Sequence, residues 1–182
     1  MNRVLAFLGA GEFEPWSEVV DRWVLERSDG DGSVLVLPTA SAPEGDDVFD
    51  GWARKGLAHF ASLGVPAAVL PIRRREDAER EDLASDAVWK PGSSYVRVVL
   101  FAPHWDTVER WYPGAHAFIQ RSVRPGETLV GIDEATAMVG DGATWEVLGR
   151  SAVHVYRAGR WMRAPAGERF RLPLEMGPPG EV

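Results

Sequence analysis

Short apolar runs alternate with amphipathic segments over the first 70 residues of the chain. Residues 4–8, 34–37 and 65–70 are continuous apolar runs, which is typical of strands buried on both faces. The segments between them place apolar residues at helical spacing, first at Trp16, Val19, Val20, Trp23 and Val24 and then at Trp52, Leu57, Phe60, Ala61 and Leu63. Strands that alternate with helices predict right-handed crossovers. We therefore expect an α/β fold with a mostly parallel sheet and flanking helices.

The pattern changes after residue 76. A helix is predicted over residues 76–84 and a strand over 96–101. A further helical segment is predicted over 106–123, with an interruption at Pro113-Gly114.

Strand-like runs separated by turns dominate the C-terminal part. From residue 129 onwards, apolar runs alternate with turns such as Gly140-Asp141-Gly142, which predicts an antiparallel β-meander. Residues 1–172 are thus predicted to form a single domain. Residues 173–182, rich in proline and glycine, are predicted to be a disordered tail.

Composition narrows the function classes. The 182 residues carry a formal net charge of −7, which disfavours nucleic acid or an anionic membrane as a partner. The chain has no cysteine, so disulfides, thiolate metal sites and a cysteine nucleophile are excluded. Its first apolar run is too short for a signal peptide, and no stretch approaches the ~20 apolar residues of a membrane span. A cytoplasmic location is the expectation.

Four short motifs follow one another along the chain. They are Leu8-Gly9-Ala10-Gly11-Glu12-Phe13, Val36-Leu37-Pro38-Thr39-Ala40-Ser41, Phe101-Ala102-Pro103-His104-Trp105-Asp106 and Gly131-Ile132-Asp133-Glu134. In order and number they resemble the dipeptidase E and cyanophycinase family of serine peptidases, which has a class I glutamine amidotransferase-like fold. The likeness covers most of the chain in two pieces, residues 5–82 and 89–172.

The resemblance implies a catalytic histidine but leaves it without a partner. His104 matches the position of the family's histidine base. The family's serine lies on a tight strand-to-helix turn written Gly-x-Ser-Ala-Gly, and that motif does not occur in this sequence. Ser93 and Ser94 precede a predicted strand instead of following one. Ser41 lies in a loop that shapes the family's substrate site without supplying the nucleophile.

The region that should carry the serine is short. Family members have two further strands between the two matching pieces, one of them ending in an oxyanion loop. Here residues 83–89 bridge the gap, so roughly two βα units of about 30 residues each are missing. We expect an apparent internal deletion, either natural or an error of the reading frame.

Other residues admit both a functional and a structural interpretation. Gly9 and Gly11 could present backbone amides to an anion, and the resemblance makes Thr39 and Ser41 part of a ligand loop. Asp133 and Glu134 could work as an acid/base pair. At the end of a buried strand, carboxylates more often accept hydrogen bonds from amides and hydroxyls, so we predict a structural acidic pair.

A metal site is a further alternative. His104, Asp106 and His116, with Glu109 nearby, offer imidazole and carboxylate ligands that suit zinc or manganese. The resembled family uses no metal, so we predict neither a metal nor another cofactor.

The sequence thus predicts a serine-peptidase-like hydrolase domain that has lost its nucleophile and is catalytically deficient. Whether the chain is an enzyme stays open, because the resemblance implies a hydrolase while the nucleophile motif is missing. Two alternatives remain: a non-catalytic binding or dimerisation module, and a metal-dependent hydrolase using His104, Asp106 and His116. A small peptide or amide is the expected ligand, and removal of internal strands would expose a sheet edge through which two copies could form a homodimer.

Overall fold

The computed structural model describes residues 4–80, 96–97 and 99–176. The helices in this part are α1 (Glu18–Leu25), α2 (Asp46–Ser62), α3 (Val108–Trp111) and α4 (Ala115–Ser122), with 3₁₀ helices at Thr39–Glu44 and Arg75–Glu79. The strands are β1 (Leu5–Leu8), β2 (Val34–Val36), β3 (Ala67–Val69), β4 (Val96–Arg97), β5 (Val99–Ala102), β6 (Thr128–Ile132), β7 (Thr136–Gly140), β8 (Thr144–Gly149), β9 (Ala152–Arg157), β10 (Arg160–Pro165), β11 (Arg169–Arg171) and β12 (Glu175–Met176). The chain divides into two compact units, the first made of residues 1–29 and 94–178 and the second of residues 30–93 and 179–182.

The second unit contains a β–α–β element. Strands β2 and β3 pair in parallel, and α2 connects them. Helix α2 forms because its apolar residues recur every three to four positions, and it buries Phe49, Ala53, Gly56 and Phe60 on one face. Asp46 and Asp47 lie in its first turn, where carboxylates stabilise the helix dipole.

The first unit contains two four-stranded sheets. One has the strand order β1-β7-β8-β11, and all of its pairs are antiparallel. The other has the order β10-β9-β6-β5, in which only β5 and β6 pair in parallel. A short antiparallel pair of β4 and β12 completes the described strands of this unit.

The prediction of a mostly parallel sheet is wrong. Most strand pairs are antiparallel, and β1 does not share a sheet with β2. Apolar runs in the sequence predict where strands lie, but they do not show which strands pair or in which direction. Here β7, a strand of the C-terminal meander, pairs along the whole of β1 from Leu5 opposite Gly140 to Leu8 opposite Ala137. The predicted continuous antiparallel meander is also wrong, because β6 pairs with β9 instead of β7, and only β7 with β8 and β9 with β10 form antiparallel pairs of consecutive strands.

The main core of the first unit is built from strands of both sheets. Its buried residues come mostly from alternate positions of β6 to β9, and they are Val130, Ile132, Met138, Trp145, Val147, Val153, Val155, Ala164, Phe170, Leu172 and Leu174. Trp145 is the largest fully buried side chain, and its Nε1 donates a hydrogen bond to the carbonyl of Leu172 at 2.8 Å. This core holds the ends of β6 and β7 firmly, and those ends carry the acidic pair.

Two of the predictions concern segments that lie wholly or partly outside the described residues. The predicted deletion at 83–89 lies outside the described residues, as do residues 177–182 of the predicted tail. Within the rest of that tail, Leu174 is buried and β12 pairs with β4. The predicted homodimer stays a prediction. Among the residues described, no helix is long and apolar enough to span a membrane.

Candidate active site

The loop after β5 places His104 next to the ends of two other strands. Since β5 and β6 are parallel, their carboxyl ends lie side by side, with Ala102 opposite Gly131. The amide of His104 donates to the carbonyl of Gly9, just after β1, at 3.0 Å. The amide of Trp105 donates to the carbonyl of Ile132, the last residue of β6, at 3.1 Å. These two bonds fix the backbone of the loop on both sides of the histidine.

His104 adopts a conformation that is rare for residues with a side chain. Its φ is 54°, in the left-handed region, which costs free energy for any residue other than glycine. The carbonyl of His104 compensates by accepting from the amides of Thr107 at 3.0 Å and Val108 at 2.8 Å, at the start of α3. The strain is typical of residues whose side chain is held in one direction for function.

The imidazole of His104 is bound to the carboxylate of Glu134. His104 Nδ1 lies 2.9 Å from Glu134 Oε1. A carboxylate can only accept, so Nδ1 carries the hydrogen and Nε2 is left as the free base in the neutral ring. Among the described residues, Nε2 has no hydrogen-bond partner. The His104 side chain is 38% exposed, and the centroid of the Trp111 ring lies 5.0 Å from that of the imidazole.

Two further contacts hold Glu134 in place. Thr107 Oγ1 donates to Glu134 Oε1 at 3.1 Å, and the amide of Glu134 donates to Asp106 Oδ1 at 2.9 Å. The hydrogen bond from His104 is the main cause that lowers the pKa of Glu134, and the bond from Thr107 and the charge of Arg110 act in the same direction. Glu134 is therefore ionised at neutral pH and acts as a fixed acceptor for the histidine.

This pKa shift predicts how the contribution of Glu134 depends on pH. Because the pKa is lower in the folded state, the carboxylate stabilises the fold above its unfolded pKa of about 4.3, and this stabilisation is lost as the pH falls through the folded value. The side chain is 41% exposed, so we expect Glu134→Gln to lower the free energy of unfolding by less than about 1 kcal/mol at pH 7. Urea unfolding at several pH values should show that difference shrinking below about pH 4. A difference that grows on acidification would contradict the assignment.

Asp133, the neighbour of Glu134, has a different environment. It is 3% exposed, and its Oδ2 accepts from Ser151 Oγ at 2.6 Å, from the amide of Ala152 at 3.2 Å and from His154 Nε2 at 3.2 Å. Oδ1 lies 3.1 Å from the same Nε2 but outside hydrogen-bonding geometry, and it has no other partner in the described part of the chain. Asp133 thus connects the end of β6 to the start of β9, while Glu134 faces the histidine.

The hydroxyls at the acidic pair are not arranged as nucleophiles. Thr107 Oγ1 binds the carboxylate of Glu134 and the carbonyl of His104. Ser151 Oγ donates to Asp133, so the order of contacts is serine, aspartate, histidine, in which the imidazole does not receive the serine proton. Ser93 and Ser94 lie outside the described residues.

Gly9 and Gly11 of the first motif lie where the backbone is too closely packed for a side chain. The amide of Gly9 donates to the carbonyl of Thr136 at 2.9 Å, so it is not available to an anion. A Cβ at Gly9 would lie 2.0 Å from the carbonyl oxygen of Asp133, which explains why a residue without a side chain is needed here. Gly11 has a φ of +76°, and a Cβ there would lie 2.6 Å from Trp16 Nε1.

The other two predicted ligand-loop residues belong to the second unit. Thr39 Oγ1 donates to the carbonyl of Ile72 at 2.7 Å, and Ser41 Oγ donates to the carbonyl of Pro38 at 2.8 Å. Both hydroxyl hydrogens are thus used by backbone carbonyls, that of Ile72 after β3 and that of Pro38 after β2. Their role in ligand binding stays a prediction.

The side chains proposed as metal ligands form hydrogen bonds with different groups instead of converging on one point. Asp106 binds the backbone of Glu134, and His116 Nε2 donates to the carbonyl of Trp105 at 2.7 Å. Within the described ranges, no group of three or more histidine, aspartate or glutamate side chains could hold a metal ion. The geometry gives the metal-dependent hydrolase no support.

Sequence reasoning missed two participants of the site and did not separate the roles of the two carboxylates. It did not single out Thr107 or Trp111, and it gave Asp133 and Glu134 one shared role. A signal for Thr107 was present, since a residue three positions after His104 lies one turn away at the start of a helix. Nothing in the sequence distinguishes the two carboxylates, because both follow the same buried strand.

Comparisons with known proteins give a fold but no family. No protein-family model matches the chain, and no curated protein matches it either. Among solved structures, the chain is similar to the crystal structure of a peptidase from an acI-B1 Actinobacterium, with a TM-score of 0.76 and 20% sequence identity. The match covers 94% of this chain and 98% of that one. At this identity the likeness shows a shared fold.

Proposed function

We propose that the chain is a peptidase-like domain of the dipeptidase E and cyanophycinase type that keeps a histidine base and its carboxylate but does not hydrolyse peptides. The observation that carries the proposal is the 2.9 Å hydrogen bond between His104 Nδ1 and Glu134 Oε1, on a partly exposed side chain whose Nε2 is unpartnered among the described residues. The fold shared with a solved peptidase, over 94% of the chain, supports the peptidase-like part of this proposal.

His104 and Glu134 correspond to the general base of an acyl-transfer site and the carboxylate that orients it. In a serine hydrolase the carboxylate fixes the tautomer of the imidazole, Nε2 removes the proton of the serine, and backbone amides bind the developing oxyanion. His104 and Glu134 meet the first of these requirements. Glu134 orients the ring through Nδ1, and the backbone bonds around His104 hold the loop that carries it.

The other half of such a site is not supported by this sequence. The strand-to-helix motif Gly-x-Ser-Ala-Gly is absent, and the hydroxyls of Thr107 and Ser151 are bound to carboxylates. A hydrolase from which the nucleophile is removed keeps only the small rate that binding and oxyanion contacts provide. The His104–Glu134 pair alone is therefore expected to bind a polar ligand without catalysing its hydrolysis.

The ligand that fits the retained pair is a small peptide or amide. Nε2 can accept from an amide N–H or a hydroxyl, and the indole of Trp111, 5.0 Å from the imidazole, offers an apolar surface beside it. This contact set is small, so a weak and reversible complex is expected.

We expect no hydrolysis of aspartyl dipeptides by the purified chain above that of its His104→Ala variant. Both proteins are incubated with a set of aspartyl dipeptides, and the released amino acids are measured by liquid chromatography and mass spectrometry. The variant serves as the matched control because it removes the base from a partly exposed position. Turnover by the wild-type chain that disappears in the variant would refute the proposal.

A further inference from the structure

A concave site separate from the His104–Glu134 pair lies on the sheet β10-β9-β6-β5, between α4 and the edge strand β10. This groove has a volume of about 420 Å³, and its lining residues are Trp105, His116, Gln120, His154, Trp161, Met162 and Arg163. Neither His104 nor Glu134 is among them. Sites for small molecules have volumes of about 300–1,000 Å³ and combine aromatic walls with a few polar groups, which describes this groove well.

The aromatic walls of the groove are held rigidly. Trp105 is 6% exposed and lies directly on β6, since a Cβ at Gly131 would be 2.5 Å from its ring. His116 stacks on Trp105 with ring centroids 4.1 Å apart, and its Nε2 bond to the carbonyl of Trp105 fixes the ring. His154 is fixed by its hydrogen bond to the buried Asp133. Walls that are ordered before binding reduce the entropic cost of a complex.

Trp161 presents an open aromatic face to the groove. Its ring centroid lies 5.5 Å from that of Trp105 and 5.0 Å from that of Tyr156, so both neighbours restrict its rotation. It nevertheless remains 45% exposed. An indole that is packed on one side and open on the other is suited to stacking against a planar ligand.

The polar groups of the groove favour an anion. Arg163 lies two residues after Trp161 on β10, directly opposite His154 on β9. In the described part of the chain, neither the Arg163 guanidinium nor the Gln120 amide has a hydrogen-bond or ion-pair partner. A guanidinium is always charged and matches a carboxylate in a two-point contact.

The acidic side chains near this groove are already bound. Asp133 accepts from Ser151, Ala152 and His154, and Glu109 accepts from the amides of Gly114 and His116 at 2.7 and 3.0 Å. Neither of these two carboxylates forms an ion pair with Arg163, although the chain as a whole has a net charge of −7. The exposed guanidinium of Arg163, on the same strand as the open Trp161 indole, is therefore available to an anionic ligand.

We propose that this groove binds a small aromatic carboxylate, whose ring stacks on the open face of Trp161 and whose carboxylate pairs with Arg163. Two residues of a strand span about 6.6 Å, which suits a ring and a carboxylate separated by one carbon. The proposal does not rest on the function proposed for His104 and Glu134, because no lining residue belongs to that pair.

The test uses indole-3-acetate as the probe and indole-3-acetamide as its neutral counterpart. Isothermal titration of the full chain is expected to show saturable 1:1 binding of the acetate and binding about tenfold weaker for the acetamide. Arg163→Gln should weaken acetate binding about tenfold and remove the preference for the acetate. Arg160→Gln, on the same strand but outside the groove, is the matched control and should bind as the wild type does.

A second variant separates stacking from charge. Trp161→Leu changes a residue that is 45% exposed, so the fold should tolerate it, and it is expected to weaken both probes about tenfold. Absence of saturable binding, equal affinity for the two probes, or an equal loss in Arg160→Gln and Arg163→Gln would overturn the proposal.

Discussion

Gly9→Ala should lower the free energy of unfolding by about 3 kcal/mol or more, because the added methyl group has no space. The Cβ would lie 2.0 Å from the carbonyl oxygen of Asp133 and 2.7 Å from that of Ile132. Both are backbone atoms at the end of a strand whose residues are all buried, so neither can move aside without breaking β6 pairing. In a domain of this size, the loss corresponds to a fall of about 6–12 °C in Tm or more.

The substitution should also disturb the histidine. The carbonyl of Gly9 accepts the amide of His104, so moving the end of β1 displaces the loop that carries the imidazole. Gly51→Ala is the matched control, because Gly51 lies inside α2 with nothing near its Cβ position. That variant should melt at or slightly above the temperature of the wild type, since alanine favours helix by about 0.5–1 kcal/mol over glycine. A Gly9→Ala protein that melts within a degree of the wild type would contradict the close approach of the two strand ends.

Asp133→Ala should lower the free energy of unfolding by about 3 kcal/mol. Replacing its neighbour Glu134 by alanine should lower it by less than about 1 kcal/mol. Removing the buried carboxylate leaves Ser151 Oγ, the amide of Ala152 and His154 Nε2 without their acceptor. Glu134 is 41% exposed, so water replaces its partners when it is removed.

The comparison is made by urea unfolding of Asp133→Ala and Glu134→Ala at the same pH. The two variants remove acidic side chains at adjacent positions, so their difference reports burial and hydrogen bonding instead of charge. Equal losses, or a larger loss at Glu134, would contradict the division of roles between the two carboxylates.

The positions of most elements could be predicted from the sequence, whereas their pairing could not. The helical spacing of apolar residues from Trp52 to Leu63 predicted a helix where the structure has α2, because such spacing is a local signal. The interruption at Pro113-Gly114 separates α3 from α4 as predicted. The pairing of β1 with β7 joins residues more than 120 positions apart, and no local signal specifies such a pair.

The candidate site shows the same division. His104 was singled out through its motif, and the acidic pair through its place after a buried strand. Their hydrogen bond depends on the parallel pairing of β5 with β6, which brings the two strand ends together. The groove at Trp161 was not predicted, because its residues come from four separate segments of the chain and form no motif. The predicted homodimer, the cytoplasmic location and the internal deletion stay predictions.

Covalent labelling by a fluorophosphonate is the most direct test of the claim that the His104–Glu134 pair lacks a nucleophile. The reagent reacts with a serine only where a base has activated its hydroxyl. Intact-mass spectrometry of the treated chain should show the unmodified mass alone, and the treated His104→Ala variant should likewise show only its own unmodified mass. A stoichiometric adduct on the wild-type chain that is lost in the variant, and that maps to Ser93, Ser94 or any other hydroxyl, would contradict the account.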